Sequence, residues 1–153
     1  MSGLIRNYSY FGAGDFFSPG RLLDRLFHPY RYAHTCSYQG KLLLVRMTNR
    51  AQRALDTLET PLLVEMQLYF SCVVKKRVLF HTHPDMTDVN MQAVNDKLSI
   101  VMHAVQADSC DPVEFARHYP ARRVLESPAA RTMRARQLDI DYRAGKWQGE
   151  FTI

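Results

Sequence analysis

A strict alternation of side chains over residues 62–74 constrains this fold more than any other feature of the sequence. Every second residue is apolar, in the series Val64, Met66, Leu68, Phe70, Cys72 and Val74. A period of two places these side chains on one face of a β-strand and does not fit a helix. Lys75 and Lys76 form a polar interruption, and residues 77–83 return as a second strand. The sequence therefore predicts an antiparallel hairpin over about residues 62–83.

A second hairpin is predicted over about residues 136–153, where apolar and polar residues again alternate on both sides of Ala144-Gly145-Lys146. Short apolar runs predict further strands at 41–46 and 98–105. Helices are expected from Pro19, after a cap at Thr48 or Asn49, at 86–96 and at 111–118. The fold class is α+β, with a mainly antiparallel sheet built on the two hairpins and two to four short helices.

Composition places the chain among ordinary globular proteins. It has 153 residues, of which 46% are hydrophobic and 23% are charged, so we expect one domain over residues 1–153. The three cysteines include no Cys-x-x-Cys pair, which argues against a structural zinc knuckle. We find no signal peptide and no apolar run of membrane-spanning length, so a cytoplasmic protein without a membrane partner is expected.

Residues 1–38 are rich in aromatic side chains. They contain Tyr8, Tyr10, Phe11, Phe16, Phe17, Phe27, Tyr30, Tyr32 and Tyr38. A segment this aromatic is expected to wrap onto the domain, onto a partner subunit or onto a ligand. If it packs across a second copy of the chain, it forms a homodimer interface.

The segment His81-Thr82-His83-Pro84-Asp85 is the strongest candidate for chemistry. Two histidines at positions i and i+2 of a strand point to the same face, which suits a zinc site. Asp85 or Asp96 could supply a carboxylate ligand. Glu65 could act as a general base if it faced the same side, and His103 could approach from the strand near residue 100.

The register of the first hairpin decides which side chains surround His81. A loop of two or four residues pairs Phe70 with His81 and turns both histidines toward the predicted core. A loop of three residues pairs Ser71 with His81 and places the histidines on the face of Ser71, Tyr69, Gln67 and Glu65. Because side chains alternate, a shift of one residue moves the whole set to the other face.

The string His81-Thr82-His83-Pro84 resembles the His-x-His-Pro element of the JAB/MPN metalloproteases, in which a strand ends at two zinc-binding histidines. The resemblance covers four residues and implies a zinc site. That family continues with Ser-x-x-Asp, whereas this chain has Ala93-Val94-Asn95-Asp96, one residue later and without the serine. The family's catalytic glutamate also lies further upstream than Glu65 does. The chain is therefore not assigned to the family.

Several arginines follow residue 121. The whole chain has a net charge of +5. These residues could bind RNA or another polyanion. They are Arg122, Arg123, Arg131, Arg134 and Arg136. None of the common RNA-binding signatures accompanies them.

These observations favour a non-catalytic binding or assembly module that associates with itself or with another protein. One alternative is a metal-dependent hydrolase with zinc at His81, His83, Asp85 and Asp96. The other is a polyanion binder that uses the arginines. The sequence does not define a substrate, a partner or a pathway.

Overall fold

The computed structural model describes residues 7–9, 19–70, 74–82, 90–107, 122–124 and 132–153. Its elements in chain order are β1 (Asn7–Ser9), α1 (Pro19–Phe27), β2 (Tyr30–Tyr38), β3 (Lys41–Thr48), α2 (Asn49–Asp56), β4 (Leu62–Phe70), β5 (Val74–His81), β6 (Gln92–Asn95), β7 (Leu98–Ala107), β8 (Arg122–Val124), β9 (Gln137–Arg143) and β10 (Lys146–Thr152). The α+β class is confirmed.

The strands form two mixed sheets. Sheet A has the order β1-β5-β4-β7-β6, with β8 also paired to β7, and sheet B has the order β10-β9-β3-β2. The pairs β4–β7 and β3–β9 are parallel. The prediction of one mainly antiparallel sheet is therefore wrong. Side-chain alternation identifies strands and hairpins, but it carries no information on which distant strands pair in parallel.

Both predicted hairpins are present, and a third one joins β2 to β3. In the hairpin of β9 and β10, Arg143 pairs with Lys146, and Ala144 and Gly145 between them have φ angles of 51° and 75°. Gln39 and Gly40 connect β2 to β3 with φ angles of 49° and 78°. Two-residue loops with positive φ at both positions match the right-handed twist of the strands that they join.

Helix α2 begins where the sequence predicts a cap. The Thr48 hydroxyl accepts a hydrogen bond of 3.2 Å from the backbone N–H of Ala51. Ala51 and Leu55 are buried, so the apolar stripe of this short helix faces the core.

Two other helix predictions have different outcomes. Residues 92–95 form strand β6 rather than the end of a helix over 86–96, since they pair with β7 at the edge of sheet A. The predicted helix at 111–118 lies outside the described residues. Neither described helix is long and apolar enough to cross a membrane.

One apolar core joins the two sheets and α2. Sheet A contributes side chains such as Met66 and Phe80, and sheet B contributes Ile140 and Trp147. The rings of Phe80 and Trp147 stack at a centroid distance of 5.9 Å. Strand β4 lies in the middle of sheet A and is buried on both of its faces, except at Phe70.

Gly149 of β10 in sheet B lies against side chains of β5 in sheet A. A Cβ atom at this position would come within 2.9 Å of both Phe80 Cζ and Val78 Cγ1. We expect Gly149→Ala to lower the free energy of unfolding by about 1–3 kcal/mol, because buried side chains must move to make room. Chemical denaturation measures the change. Gln148→Ala, next to it in β10, is the control, with an expected change within about 0.5 kcal/mol. Equal effects of the two substitutions would contradict the close approach.

Candidate functional site

The β4–β5 register places His81 on the same face of sheet A as Glu65. Phe70 pairs with Val74, so residues 71–73 connect the strands, and His81 pairs with Leu63. Both predicted pairings of His81 are wrong, because Lys75 and Lys76 belong to β5 instead of the turn. His81 nevertheless lies on the face that a three-residue loop predicts. Its observed partner Leu63 and its predicted partner Ser71 are an even number of residues apart, so both point to the same face of β4.

The carboxylate of Glu65 binds two histidines from the neighbouring strands. Glu65 Oε2 lies 2.8 Å from His81 Nε2 on β5, and Glu65 Oε1 lies 3.0 Å from His103 Nδ1 on β7. In the β-ladders the residues directly opposite Glu65 are Leu79 and Val101, so both histidines reach it diagonally. Such diagonal contacts are within the reach of long side chains. The three residues form one polar row across three strands.

Two further side chains extend this row. Gln67 Nε2 donates a hydrogen bond of 2.5 Å to Glu65 Oε1, and Arg77 Nε donates one of 3.1 Å to Gln67 Oε1. Gln67 is fully buried and Arg77 is 5% exposed. The side chains of His81 and His103 remain 28% and 25% exposed, against 11% for Glu65. The carboxylate is therefore buried, while the histidines lie at the boundary with solvent.

The charge state of Glu65 follows from these contacts. Burial raises the pKa of the Glu65 carboxyl, but hydrogen bonds from His103, His81 and Gln67 outweigh it and hold the pKa well below its usual range. Glu65 is thus ionised at neutral pH and can only accept hydrogen bonds. The proton in each histidine contact must then belong to the imidazole ring, on Nε2 of His81 and on Nδ1 of His103.

Only His81 and Asp96 of the predicted metal set lie in the described part of the chain, and no contact joins them. His81 bonds to Glu65, while His83 and Asp85 lie outside the described residues. Asp96 is exposed in the turn between β6 and β7. Within the described side chains, no group of three or more His, Cys, Asp or Glu residues is placed to hold a metal ion.

The predicted arginine set is divided between the sheets. Arg122 and Arg123 are part of β8 in sheet A, and Arg131 lies outside the described residues. Arg134 donates a hydrogen bond to the Gln39 carbonyl, between β2 and β3 of sheet B. Arg136 is exposed and its backbone N–H bonds to Thr152 O at 2.8 Å.

A second polar cluster, which sequence reasoning missed, ties α1 to sheet B. Arg50 of α2 bonds Asp141 through Nε at 2.7 Å and Nη2 at 2.6 Å, and Asp24 of α1 through Nη2 at 2.7 Å. The Thr48 hydroxyl donates to Asp141 Oδ1 at 2.6 Å. Asp139 and Asp141 alternate with apolar residues in β9, and both are buried.

Helix α1 exposes its apolar side chains. Leu22 is 63% exposed, Leu23 56%, Leu26 76% and Phe27 77%. We call these four residues the α1 surface. A cleft of about 170 Å³ separates part of α1 from β9 and β10. Isolated exposed leucines are common, but four adjacent large apolar side chains on one short helix are typical of an interaction site.

Comparison of the chain with protein-family models, with curated proteins and with solved structures finds no match. The functional argument therefore rests on the geometry of the Glu65 row and of the α1 surface.

Proposed function

We propose that this chain is a non-catalytic binding and assembly module that forms a homodimer through the α1 surface. The observation that carries the proposal is the exposure of Leu22, Leu23, Leu26 and Phe27 on a single helix. Removing such side chains from water supplies about 1.5–3 kcal/mol for each one that becomes fully buried. A helix that keeps them in solvent gains this stabilisation only when another surface covers it.

The way in which α1 is attached supports this reading. Among the described residues, α1 is joined to the domain by ion pairs, since Asp24 Oδ2 lies 2.7 Å from Arg50 Nη2 and 3.9 Å from Arg143 Nη1. The Arg25 guanidinium stacks over the Tyr30 ring at 4.1 Å. An amphipathic helix normally turns its apolar stripe toward its own core. Here ion pairs and a cation–π contact hold the helix, and the apolar side chains stay available.

A second copy of the chain is the occupant that fits best. The α1 surface is uncharged, so two copies related by a two-fold axis bring apolar residues against apolar residues. Strand β2 follows α1 directly and is an edge of sheet B in the described part of the chain. Its Tyr32 is 40% exposed and can extend the same interface. Both features are present in each copy.

We expect the chain to sediment as a dimer and Leu26→Glu to shift it toward monomer. The substitution places one charge from each copy in an apolar interface and removes two buried leucines, so the dissociation constant should rise by about 100-fold or more. Leu42→Glu is the matched control, because Leu42 is 73% exposed but lies on β3. Sedimentation velocity over a concentration series measures the change.

The effect of salt concentration on affinity distinguishes homodimer formation from polyanion binding. Each copy carries a net charge of +5, so two copies repel each other and added salt should strengthen the dimer. Binding to a polyanion weakens with salt. A wild-type chain that stays monomeric at its highest soluble concentration and at high salt would overturn the homodimer.

A further inference from the structure

We propose that sheet B continues across two copies of the chain, with β2 of one copy pairing antiparallel with β2 of the other. This pairing rests on the homodimer proposed above and gives that dimer a second contact. Only His28 and Pro29 separate α1 from β2, so the two contacts lie close together along the chain. The occupant of each β2 edge is the same edge of the second copy.

Among the described strands, β2 is the sheet edge that is least protected against pairing. From Tyr32 to Tyr38 it has seven consecutive residues without a lysine, an arginine, an acidic residue or a proline. The opposite edge of sheet B, β10, carries Lys146 and Glu150. The edge strands of sheet A, β1, β6 and β8, have only three, four and three residues. Charges and short length normally prevent edge pairing, and this part of β2 has neither protection.

The hydrogen bonds of β3 show which backbone groups of β2 face the open edge. Leu44 lies directly opposite Thr35 and donates its backbone N–H to the Arg136 carbonyl at 3.0 Å, away from β2. In an antiparallel pair, two opposite residues exchange both of their bonds or neither. Thr35 therefore directs its N–H and its carbonyl away from β3. Ala33 and Ser37 do the same because the pattern repeats every second residue, and all three residues are exposed.

A two-fold axis at Thr35 makes this edge complementary to itself. The regular part of the β2–β3 ladder runs from Tyr32 to Tyr38, and Thr35 is its midpoint. Antiparallel pairing about that point places Thr35 opposite Thr35 of the second copy and Ala33 opposite Ser37. The outward backbone groups of these residues then form about six hydrogen bonds per dimer. The paired segment has no lysine, arginine or acidic residue, so no like charges meet across the axis.

Thr35→Pro tests the pairing at its centre. Proline removes the outward N–H and places its ring on the open edge, while the bonds between β2 and β3 are kept. We expect the dissociation constant of the dimer to rise by about 30-fold or more, because two hydrogen bonds per dimer are lost. Thr35→Ser keeps the N–H and should stay within about threefold of wild type. Sedimentation velocity measures both variants, and circular dichroism shows whether they fold.

Disulfide formation tests the same pairing if Thr35→Pro folds poorly. In a Cys36→Ser background, Thr35→Cys places two thiols on Cα atoms about 5.5 Å apart across the axis, which is within the reach of a disulfide. Ser37→Cys lies on the same exposed edge, but its two copies are about 13 Å apart. Mild oxidation should therefore give more covalent dimer with Thr35→Cys than with Ser37→Cys or with the background alone. A non-reducing gel measures the yields.

The outcomes distinguish the β2 contact from the α1 surface. A raised dissociation constant in folded Thr35→Pro, or selective cross-linking of Thr35→Cys, supports the β2 pairing. An unchanged dissociation constant in folded Thr35→Pro, or equal cross-linking at positions 35 and 37, overturns it. In that case the homodimer through α1 still stands if Leu26→Glu dissociates the dimer. A wild-type chain that stays monomeric overturns both proposals.

Discussion

Glu65→Ala should lower the free energy of unfolding by about 3–5 kcal/mol, one of the two largest effects expected for a single substitution in this chain. The carboxylate is the shared acceptor of His81, His103 and Gln67. Its removal takes away the acceptor of these three contacts and opens a void in a strand that is buried on both faces. Urea unfolding of wild type and variant measures the loss. The control is Glu59→Ala, at an exposed position, where the change should stay within about 0.5 kcal/mol.

The pH dependence of Glu65→Gln tests the same contacts through charge. The folded state lowers the pKa of Glu65 from its usual 4.5, so the ionised carboxyl stabilises the fold above that pH. This stabilisation is lost as the pH falls from about 5 toward the folded-state pKa. The stability difference between wild type and Glu65→Gln should therefore be largest near neutral pH and shrink on acidification. A difference that does not change between pH 7 and pH 3 would contradict an ionised, hydrogen-bonded Glu65.

The sequence identifies the members of this row better than it identifies their arrangement. Alternation along β4 places Glu65 and Gln67 on one face, and the strand prediction at 98–105 includes His103. Their meeting point depends on the register with β5 and on the parallel pairing with β7. The register depends on which residues connect the two strands, and the sequence at 71–73 has no glycine or asparagine to mark a loop. The parallel pairing is a long-range property that local alternation does not encode.

Sheet B shows a different gap between pattern and structure. The pattern of β9 correctly predicts a strand, but it does not reveal that Asp139 and Asp141 are buried. Both lie beneath arginines of β3 and α2, with Arg46 Nε 2.7 Å from Asp139 Oδ1 and Arg50 Nη2 2.6 Å from Asp141 Oδ2. Alternation distinguishes the two faces of a strand without indicating whether the polar face is covered. The sequence analysis missed strand β2 because it interpreted the aromatic residues of that region as a wrapping segment. That residues 1–38 wrap onto a partner stays a prediction.

Arg50→Met should also lower the free energy of unfolding by about 3–5 kcal/mol, because it leaves a buried carboxylate without its cation. The Asp141 side chain is 5% exposed. Burial raises the pKa of Asp141, but the hydrogen bonds from Arg50 and Thr48 outweigh this and lower it. Without Arg50, the donors to Asp141 that remain in the described part of the chain are the Thr48 hydroxyl and the Tyr142 backbone N–H. Methionine keeps much of the volume of the arginine stem, so the loss reports mainly on charge.

Two comparisons make the Arg50 result specific. Arg53→Met alters an exposed arginine on the same helix and should change stability by no more than about 0.5 kcal/mol. Adding Asp141→Asn to Arg50→Met removes the uncompensated charge, so the double variant should be more stable than Arg50→Met alone. Arg50 also binds Asp24, so Arg50→Met should speed amide hydrogen exchange in α1. If the double variant were no more stable than Arg50→Met, a buried Asp141 charge would not be the cause of the loss. If α1 kept its protection, Asp24–Arg50 would not be the contact that holds the helix against sheet B.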